Sequence, residues 1–294
     1  MSELPLFLGI DVGGTNIKLG LVRDDGRVVG EMQVPTREPE GPEAGVERMA
    51  EAARKLVGQA DLGLSDVTAA GLATPGSMDL ERGWLLQPPN MPHWCEFPIR
   101  DRLAERLGRP VVFLNDANAA AYGEFWQGSG AGAESLVMLT LGTGVGGGII
   151  VAGELVHGRH SFGSEIGHMI VDPSPDARTC VWGGGRGELE AYASASAVVA
   201  RTRERLESHP SSRLAAADPL TARSVFEAAE ADDPLALEII DETADILGIA
   251  ITTLVHLIDP GRVVLGGAMD FGGPDHPVGQ RFLGRIRRVF HERA

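Results

Sequence analysis

The apolar and polar positions of this chain repeat one arrangement, in which an apolar strand, a glycine-rich turn and a second apolar strand follow one another. The first copy covers residues 6–22 and turns at Gly13-Gly14. The second copy covers residues 136–151, with glycines concentrated in residues 142–148. Backbone N–H groups of a turn without Cβ atoms can converge on an anion at close range. The repeat therefore predicts two related lobes that bind one polyphosphate.

Along the rest of the chain and within the first hairpin, the spacing of apolar residues alternates between strand and helix periods. Strands are predicted at residues 6–10, 17–22, 27–34, 67–74, 111–114 and 263–265, and helices at residues 46–59, 101–107, 117–126, 188–207, 225–230, 235–258 and 281–291. Strands that alternate with helices indicate an α/β fold, and the two hairpins make its sheets mixed rather than purely parallel. We expect a small lobe at residues 1–116 and a larger lobe at residues 117–294.

The charge balance narrows the classes of partner. The chain has 26 Lys and Arg against 41 Asp and Glu, which gives a formal net charge of −15. This excess of acid argues against non-specific binding to nucleic acid and against an anionic membrane surface. A local anion site stays compatible with it, because backbone amides bind anions without contributing net charge.

The cysteine content and the apolar segments indicate the cellular compartment. Two cysteines, Cys95 and Cys180, are too few for the disulfide framework of a secreted domain. The first residues lack the basic and apolar segments of a signal peptide. The apolar residues 246–258 are too few to cross a membrane. We therefore expect a cytoplasmic protein with no membrane partner.

The second glycine turn matches the dinucleotide-binding expression G-x-G-x-x-G at Gly142, Gly144 and Gly147. That motif must open a helix, whereas the β-branched run at residues 149–151 predicts a strand. A plain tight turn is the alternative, but residues 142–148 are more than a two-residue turn requires. We interpret this turn as a phosphate-binding loop.

Two charged residues lie beside the first glycine turn. An acid at Asp11 repels a phosphate unless Mg²⁺ lies between them, so Asp11 implies a metal–nucleotide complex, contacted directly or through water. Lys18 is one of only two lysines in the chain and follows the turn, where a cation can reach a phosphate. Both residues are candidates for nucleotide binding.

The pair Asn115-Asp116 ends a predicted strand and begins a predicted helix. Asn and Asp are both favoured as helix N-caps, which is sufficient to explain one of them. The functional alternative uses the position of Asp116 at the carboxyl end of a strand, where ligands of α/β proteins bind. There its carboxylate could accept the proton of an attacking hydroxyl group.

A second set of polar residues lies in the C-terminal half. Glu165 and His168 are three apart, which places them on one face of a helix or tight turn. They could form a surface pair, ligate a metal together with Cys180, or bind the hydroxyl groups of a polyol. Tetrahedral zinc normally takes four ligands, and this region supplies one Cys and one His. Glu188 and Glu190 begin a predicted helix, where the helix dipole favours acids, and this explanation is adequate for Glu188.

Seven motifs occur in the order found in ROK-family sugar kinases, which the chain resembles over about residues 6–270. They are Asp11-x-Gly13-Gly14-Thr15-x-x-Lys18, Ala73-Thr74-Pro75-Gly76, Asn115-Asp116-Ala117-Asn118-Ala119-Ala120, Leu141-Gly142-Thr143-Gly144-Val145-Gly146-Gly147-Gly148, Gly163-x-x-Glu165-x-Gly167-His168, Leu189-Glu190-Ala191-Tyr192-Ala193-Ser194 and Leu265-Gly266-Gly267. The resemblance implies an actin-like ATPase (ribonuclease H-like) fold, with two α/β lobes and a central cleft. It also implies transfer of the ATP γ-phosphate to a hexose hydroxyl, commonly O6, with Mg²⁺.

The resemblance also implies roles for particular residues. Asp116 is the implied general base, and the implied sugar-binding residues are Asn90, Asn115, Glu165, His168 and Glu190. The implied nucleotide-binding residues are Asp11, Gly13, Gly14, Thr15 and Lys18 at the first turn, Gly142, Thr143 and Gly144 at the second turn, and Gly266 and Gly267 beside the adenosine.

The chain departs from the family at the zinc site. Many members carry a C-x-C-G-x-x-G-C run after the histidine, whereas here Trp182 and Glu188 stand at the second and third cysteine positions. Of four ligands, only His168 and Cys180 are present. Structural zinc is therefore not expected, and something other than a metal must orient the ring of His168.

A further departure concerns the C-terminus. Family members usually continue past the last helix with a strand and a helix of small residues, whereas this sequence stops at Ala294. The resemblance therefore predicts that part of the N-terminal lobe is exposed or is covered by a partner subunit, and we expect a homodimer.

The predicted function is an ATP-dependent hexokinase that converts glucose to glucose 6-phosphate. Fructose, mannose or an N-acetylhexosamine as substrate, polyphosphate as donor, and a non-catalytic sugar sensor stay open as alternatives. A sugar-responsive repressor is disfavoured, because the first strand begins near Leu6 and leaves no room for a DNA-binding helix-turn-helix. The expected partners are a sugar and ATP, and not nucleic acid.

Overall fold

The computed structural model describes residues 4–159, 161–181 and 184–294. The chain forms two compact units. The N-terminal unit comprises Met1–Gly123 and His157–Gly163, and the C-terminal unit comprises Glu124–Val156 and Ser164–Ala294.

The N-terminal unit is built on a five-stranded mixed sheet. Its strands are β1 (Leu6–Val12), β2 (Asn16–Arg23), β3 (Val28–Pro35), β4 (Ala69–Thr74), β5 (Ser77–Asp79), β6 (Trp84–Gln87) and β7 (Val111–Asn115). Five of them lie in the order β3-β2-β1-β4-β7, while β5 and β6 form a separate ribbon. Because β1, β4 and β7 are mutually parallel, their carboxyl ends meet at one edge of the sheet.

Helices cover one face of this sheet. They are α1 (Pro42–Gln59) and α2 (Ile99–Leu107). A third helix, α3 (Asp116–Gln127), follows β7 directly. Alternate residues of β1, such as Leu8 and Ile10, are buried in the same cluster as Met49 and Leu56 of α1. The opposite face carries small residues and a depression of about 610 Å³ whose lining includes Asp11 and Lys18.

The C-terminal unit contains the second hairpin in a four-stranded mixed sheet. Its strands are β8 (Leu136–Leu141), β9 (Val145–Val151), β10 (Glu154–Leu155) and β11 (Arg262–Gly266), in the order β10-β9-β8-β11. Its helices are α4 (Glu190–Ala193), α5 (Ala195–Arg205), α6 (Ala222–Glu230), α7 (Pro234–Ile258) and α8 (Pro277–Arg293). Strand β8 is antiparallel to β9 and parallel to β11, so the predicted mixed sheets are confirmed in both units.

The longest helix, α7, belongs to the core of the C-terminal unit. The hydroxyl groups of Thr243 and Thr252 donate to the carbonyl oxygens one turn earlier, which lets both residues be buried among apolar neighbours. Arg285 of α8 donates to Asp241 and Asp245 on its outer side. Within the described ranges, no helix has the length and apolar character needed to span a membrane.

The single helix predicted at residues 188–207 is wrong, because Ser194 divides it into α4 and α5. Ser194 has extended backbone angles, and its hydroxyl accepts a hydrogen bond from the N–H of Ala197, so it is the N-cap of α5. The N–H of Ala195 donates instead to the carbonyl of Gly142, at 2.8 Å. Apolar periodicity did not reveal the break, which depends on this contact with the second glycine turn.

Several short elements are absent from the sequence prediction. Strands β5, β6 and β10 have two to four residues each, too few to show a period. One-turn 3₁₀ helices lie at Glu38–Glu40, Leu64–Asp66, Pro92–Trp94, Ile166–His168, Leu206–Ser208 and Arg213–Ala216. Of these, the turn at Ile166–His168 carries candidate site residues.

Candidate active site

The first glycine turn joins β1 to β2. Asp11 and Lys18 are paired across the two strands, and the Lys18 Nζ lies 3.9 Å from the Asp11 Oδ2. Their side chains are 52% and 67% exposed, so both charges are accessible to a ligand. The N–H of Gly13 donates to the carbonyl of Asn16 at 2.9 Å and closes the turn. The structure thus places a carboxylate and an ammonium group at the base of a short backbone loop.

Thr36 supports this turn from the protein side. Its hydroxyl donates to the carbonyl of Gly13 at 2.5 Å, and its N–H donates to the carbonyl of Thr15 at 2.9 Å. Arg48 Nη1 in turn donates to the carbonyl of Thr36. Thr36 is fully buried. Sequence reasoning missed it, because it lies about twenty residues after the turn and belongs to no local motif.

We expect Thr36→Val to weaken nucleotide binding. The valine has the same shape but leaves the Gly13 carbonyl without its donor, at a cost of about 1 kcal/mol. The Michaelis constant for ATP is expected to rise roughly fivefold, the equivalent of that energy. Steady-state kinetics measure it, with Thr36→Ser, which retains the hydroxyl, as the control. Equal constants for ATP in the valine and serine variants would refute a supporting role.

Asn90 lies beside the first glycine turn. It has a left-handed φ of +60°, a conformation that asparagine tolerates better than most residues. A Cβ on Gly14 would lie 3.8 Å from the Asn90 Cβ. The residue is exposed, so its side-chain amide is available at the same surface as the turn.

Asn115, the last residue of β7, is the cap of α3. Its Oδ1 accepts hydrogen bonds from the N–H groups of Ala117, at 2.9 Å, and Asn118, at 3.3 Å. Across the sheet it pairs with Thr74 at the end of β4. The sequence offered both Asn115 and Asp116 as the N-cap of α3. These hydrogen bonds assign the role chiefly to Asn115.

Asp116 is the first residue of α3 and has an exposed edge. Loss of hydration raises the pKa of its carboxyl group above the ordinary value, and repulsion from the Asp11 carboxylate raises it further. The hydrogen bond from the N–H of Ala117 opposes this rise. The carboxyl group is therefore accessible, close to a second acid and more basic than an ordinary aspartate.

The second glycine turn joins β8 to β9 and lies at the start of α5. The N–H of Gly142 donates to the carbonyl of Gly144 at 3.0 Å, and Ser196 Oγ donates to the carbonyl of Thr143 at 2.8 Å. The break at Ser194 directs the N-terminus of α5 toward this turn, and such a helix end favours an anion. The predicted phosphate loop therefore lies beside a helix N-terminus.

Glu190 connects the second turn to the segment that precedes α4. Its Oε2 accepts from the N–H of Val145 and its Oε1 accepts from the thiol of Cys180, both at 2.8 Å. A Cβ on Gly144 would lie 2.3 Å from the Glu190 Oε2, so only glycine fits at this position without movement. Each oxygen has a further lone pair, and sugar binding by Glu190 stays a prediction.

Glu165 precedes and His168 ends a 3₁₀ turn that packs on β9. A Cβ on Gly167 would lie 2.1 Å from the carbonyl oxygen of Val145. Just before the turn, Ser164 has a φ of +72°, and its Oγ accepts from the N–H of Ile149 and donates to the carbonyl of Val156. These contacts tie the turn to the second hairpin.

Glu188 contacts His168 and lies before α4, not in the first helical turn that the sequence predicted. Its Oε2 lies 3.2 Å from the His168 Nδ1. Its Oε1 accepts from the N–H of Gly185 at 3.0 Å. The Glu188 side chain is 9% exposed and that of His168 is 56% exposed. Sequence reasoning explained Glu188 by the helix dipole and missed this contact.

The donor atoms of this region do not fit a tetrahedral zinc site. The thiol of Cys180 donates to Glu190, and the Nδ1 of His168 faces Glu188. Trp182, at the second cysteine position of the family, lies outside the described residues. In the described part of the chain no three His, Cys, Asp or Glu side chains are arranged to hold a metal ion.

Gly266 and Gly267 lie at the carboxyl end of β11. Gly267 has a φ of +100°, and a Cβ there would lie 2.2 Å from the carbonyl oxygen of Leu141. The same carbonyl accepts from the N–H of Met269 at 3.0 Å. The chain therefore passes the end of β8 at a distance that only glycine permits, next to the second glycine turn.

The candidate residues form one group in each unit. The N-terminal unit holds Asp11, Gly13, Gly14, Thr15, Lys18, Asn90, Asn115 and Asp116. The C-terminal unit holds Gly142, Thr143, Gly144, Glu165, His168, Glu190, Gly266 and Gly267. Each unit thus brings a glycine turn together with candidate sugar-binding side chains.

Known proteins resemble this chain over most of its length. A glucokinase from Halalkalibacterium halodurans is 37% identical over 94% of this chain and 84% of its own length. A glucokinase from Thermotoga maritima is 38% identical over 93% of this chain and 84% of its own length. A ROK hexokinase from Thermus thermophilus superposes with a TM-score of 0.81 at 34% identity, covering 98% of this chain and 88% of that one.

A second solved structure is a ROK family glucokinase from Streptomyces griseus in complex with glucose and AMPPNP. It matches with a TM-score of 0.77 at 33% identity and covers 98% of this chain and 89% of that one. The predicted fold class, α/β with mixed sheets in the actin-like ATPase fold, is confirmed. The model of the ROK family matches residues 7–274. Because that match covers most of the sequence, the chain belongs to the ROK family.

Proposed function

We propose that the chain is an ATP-dependent glucokinase that transfers the γ-phosphate of ATP to the O6 hydroxyl group of glucose. The observation that carries the proposal is Asp116, an accessible carboxyl group at the start of α3 with a raised pKa, close to Asp11 at the first glycine turn. Similarity to two glucokinases at 37% and 38% identity supports the choice of glucose. The glucose and AMPPNP bound to the Streptomyces griseus relative support the choice of both substrates.

In the proposed reaction, Asp116 orients the sugar hydroxyl group and accepts its proton. The hydroxyl oxygen attacks the γ-phosphorus, the bond from that phosphorus to the bridging oxygen breaks, and ADP leaves with the electron pair. Phosphoryl transfer depends mainly on positioning and on neutralising charge, so one base and well-placed phosphate ligands are sufficient. A carboxyl group whose pKa is raised toward neutrality is a stronger base than an ordinary aspartate.

Asp11 is suited to a magnesium ion. Mg²⁺ prefers carboxylate oxygen together with water and phosphate oxygens, and the Asp11 carboxylate is half exposed at the edge of the turn. Mg²⁺, when bound, supplies positive charge to the phosphate oxygens. Lys18 adds a second positive charge on the neighbouring strand.

The backbone of the two glycine turns is proposed to bind the phosphates. The proposed donors are the N–H groups of Gly14 and Thr15 in the first turn and of Thr143 and Gly144 in the second. The N–H groups of Gly13 and Gly142 close these turns by donating to the carbonyls of Asn16 and Gly144. The N-terminus of α5 beside the second turn adds to its preference for an anion. Gly266 and Gly267 are proposed to lie against the adenosine, since a chain without side chains there leaves room for a flat base.

The proposed sugar-binding residues combine donors and acceptors. They are Asn90, Asn115, Glu165, His168 and Glu190. Amides and imidazoles can donate and accept, while carboxylates accept only, so together they can bind several hydroxyl groups of one hexose.

The proposal is tested by measuring ADP release with glucose, fructose, mannose, N-acetylglucosamine and N-acetylmannosamine, with ATP as the donor. We expect kcat/KM for glucose to exceed that for each other sugar by at least about tenfold, because the loss of one or two hydrogen bonds to the sugar discriminates by about this factor. A higher value for another hexose contradicts glucose as the substrate. Absence of turnover with every sugar, together with stabilisation by glucose, favours a sensor over a kinase. Replacing ATP with polyphosphate identifies the donor.

The raised pKa of Asp116 predicts a particular pH dependence. The base must be ionised, so kcat/KM falls as the pH drops through its pKa, and a raised pKa moves this fall above the ordinary aspartate value of 3.8. The measurement is kcat/KM for glucose from pH 4 to 8, with intrinsic fluorescence recorded to exclude unfolding. Activity that persists undiminished down to the ordinary aspartate range contradicts the assignment.

A further inference from the structure

The buried carboxylate of Glu188 has an incomplete set of partners. The N–H of Gly185 donates to its Oε1 at 3.0 Å. Its Oε2 is buried, and among the described residues no well-aligned hydrogen bond reaches it. The His168 Nδ1 lies 3.2 Å from this oxygen. A buried carboxylate oxygen without a donor is costly, so a small rotation of the imidazole that aligns Nδ1–H with it lowers the free energy.

The surroundings of Glu188 keep its carboxylate in this position. A Cβ on Gly185 would lie 2.3 Å from the Glu188 Oε1, and a Cβ on Gly184 would lie 3.2 Å from the Oε2. The backbone on either side is also held, because Leu189 N–H donates to the carbonyl of Met169 at 2.8 Å and Gly187 N–H donates to the carbonyl of Arg178 at 2.7 Å. The carboxylate therefore has little freedom to turn away, whereas the ring of His168 is half exposed and has more.

We propose that Glu188 is the positioning residue that orients the ring of His168 toward the sugar. The described side chains around His168 do not suit a metal ion, so the carboxylate takes over this task. The carboxylate accepts the proton of Nδ1, which leaves Nε2 on the opposite side of the ring to meet a sugar hydroxyl group. This inference rests on the proposed function, in which His168 binds the sugar. The contact between Glu188 and His168 itself is formed by this chain alone.

The tautomer of His168 in the wild-type protein tests the contact directly. A carboxylate can only accept, so Nδ1 must carry a proton. Heteronuclear NMR of ¹⁵N-histidine-labelled protein, with and without glucose, reports which ring nitrogens are protonated, and a His168→Asn sample assigns the signal. A protonated Nδ1 supports the proposal, whether or not Nε2 is also protonated. A bare Nδ1 overturns it.

Glu188→Gln tests the consequence for sugar binding. The Gly185 N–H and the His168 Nδ1 face different oxygens of Glu188, and glutamine replaces one of these oxygens with an NH₂ group. It therefore cannot accept from both donors, and an NH₂ group beside Nδ1 opposes the required tautomer. We expect the Michaelis constant for glucose to rise about tenfold, the lower end of the effect of such orienting partners. The kcat is expected to stay within about threefold and the constant for ATP within about twofold, because neither depends on this ring.

Two further variants separate positioning from folding. Glu230→Gln is a matched control, because Glu230 contacts His276 at 3.0 Å in the same unit but outside the site. It should leave the Michaelis constant for glucose unchanged. Glu188→Asp keeps two acceptor oxygens and should affect glucose less than Glu188→Gln does. Equal Michaelis constants for glucose in wild type and Glu188→Gln overturn the proposal. An equal rise of the Michaelis constants for glucose and ATP together with a lower Tm also overturns it.

Metal content provides a separate test. We expect the purified protein to contain less than about a tenth of a zinc ion per chain, and EDTA to leave the Michaelis constant for glucose unchanged, since the donors here are bonded to one another. One zinc per chain that is lost together with sugar affinity overturns the proposal. If wild type phosphorylates no hexose, the proposed function fails, while the NMR result still decides the role of Glu188.

Discussion

Asp116→Asn is expected to lower kcat roughly 10³-fold, the middle of the range for removal of a general base. The amide retains the size of the carboxyl group and can still accept a hydrogen bond from the N–H of Ala117, so the sugar should still bind. It cannot accept a proton from the substrate. Steady-state kinetics with glucose measure this, and we expect the Michaelis constant for glucose to change by less than about fivefold.

Thermal unfolding distinguishes this loss of activity from loss of structure. Because folding raises the pKa of Asp116, the folded protein favours the neutral carboxyl group over the ionised one. The resulting penalty is fully present above the raised pKa and disappears as the pH falls through the ordinary value. At pH 7, Asp116→Asn should therefore be at least as stable as wild type.

A suitable control is Asp101→Asn in the same unit. Asp101 forms an exposed pair with Arg100, and such pairs contribute little to stability. It should leave both kcat and Tm close to their wild-type values. Asp116→Asn with near wild-type kcat would remove Asp116 as the base.

Gly267→Ala is expected to have the second-largest effect and to impair both folding and nucleotide binding. Its φ of +100° is one that alanine rarely adopts, at a cost of about 1–3 kcal/mol. The added Cβ would also lie 2.2 Å from the Leu141 carbonyl oxygen, a backbone atom that cannot move aside. Accommodating it requires the end of β11 to move away from β8, at a further cost of about 1–3 kcal/mol.

We expect chemical denaturation to show a loss of roughly 3 kcal/mol, the combined effect of strain and displacement. The Michaelis constant for ATP should rise more than that for glucose, because the displaced segment is next to the second glycine turn. Gly284→Ala in α8 is the control, since a Cβ there meets nothing within 4 Å and alanine is the better helix former. Similar stabilities of the two variants would contradict the steric explanation.

Several features of the fold were predictable because they depend on neighbours in the sequence. The hairpins at the two glycine turns follow from apolar strands that flank residues without Cβ atoms, and they are confirmed as β1–β2 and β8–β9. Asn115 and Asp116 were recognisable because a strand-to-helix junction requires a cap and places side chains at the strand's carboxyl end. The motifs of the family lie in these local elements, so the family resemblance was also recognisable.

Other features depend on residues that are distant in the sequence. Ser194 reads as an ordinary position within a helix, and only the hydrogen bond from Ala195 to Gly142, more than fifty residues earlier, explains the break there. Thr36, which directly follows β3, supports the first turn by donating to the carbonyl of Gly13. Short strands such as β10 have too few residues for a period and exist because a neighbouring strand offers hydrogen bonds.

The order of residues alone specifies the α/β class, the positions of the two glycine turns, the family and the candidate base Asp116, because strand periodicity, turn chemistry and short motifs are local properties. The contacts of each side chain became evident only in the folded structure. Folding reduced the hydration of Asp116 and placed Asp11 near it, and both effects raise the pKa of Asp116. It also gave His168 the carboxylate of Glu188, twenty residues later, as its neighbour. Burial and electrostatic interaction depend on distances in space, which the order of residues does not specify.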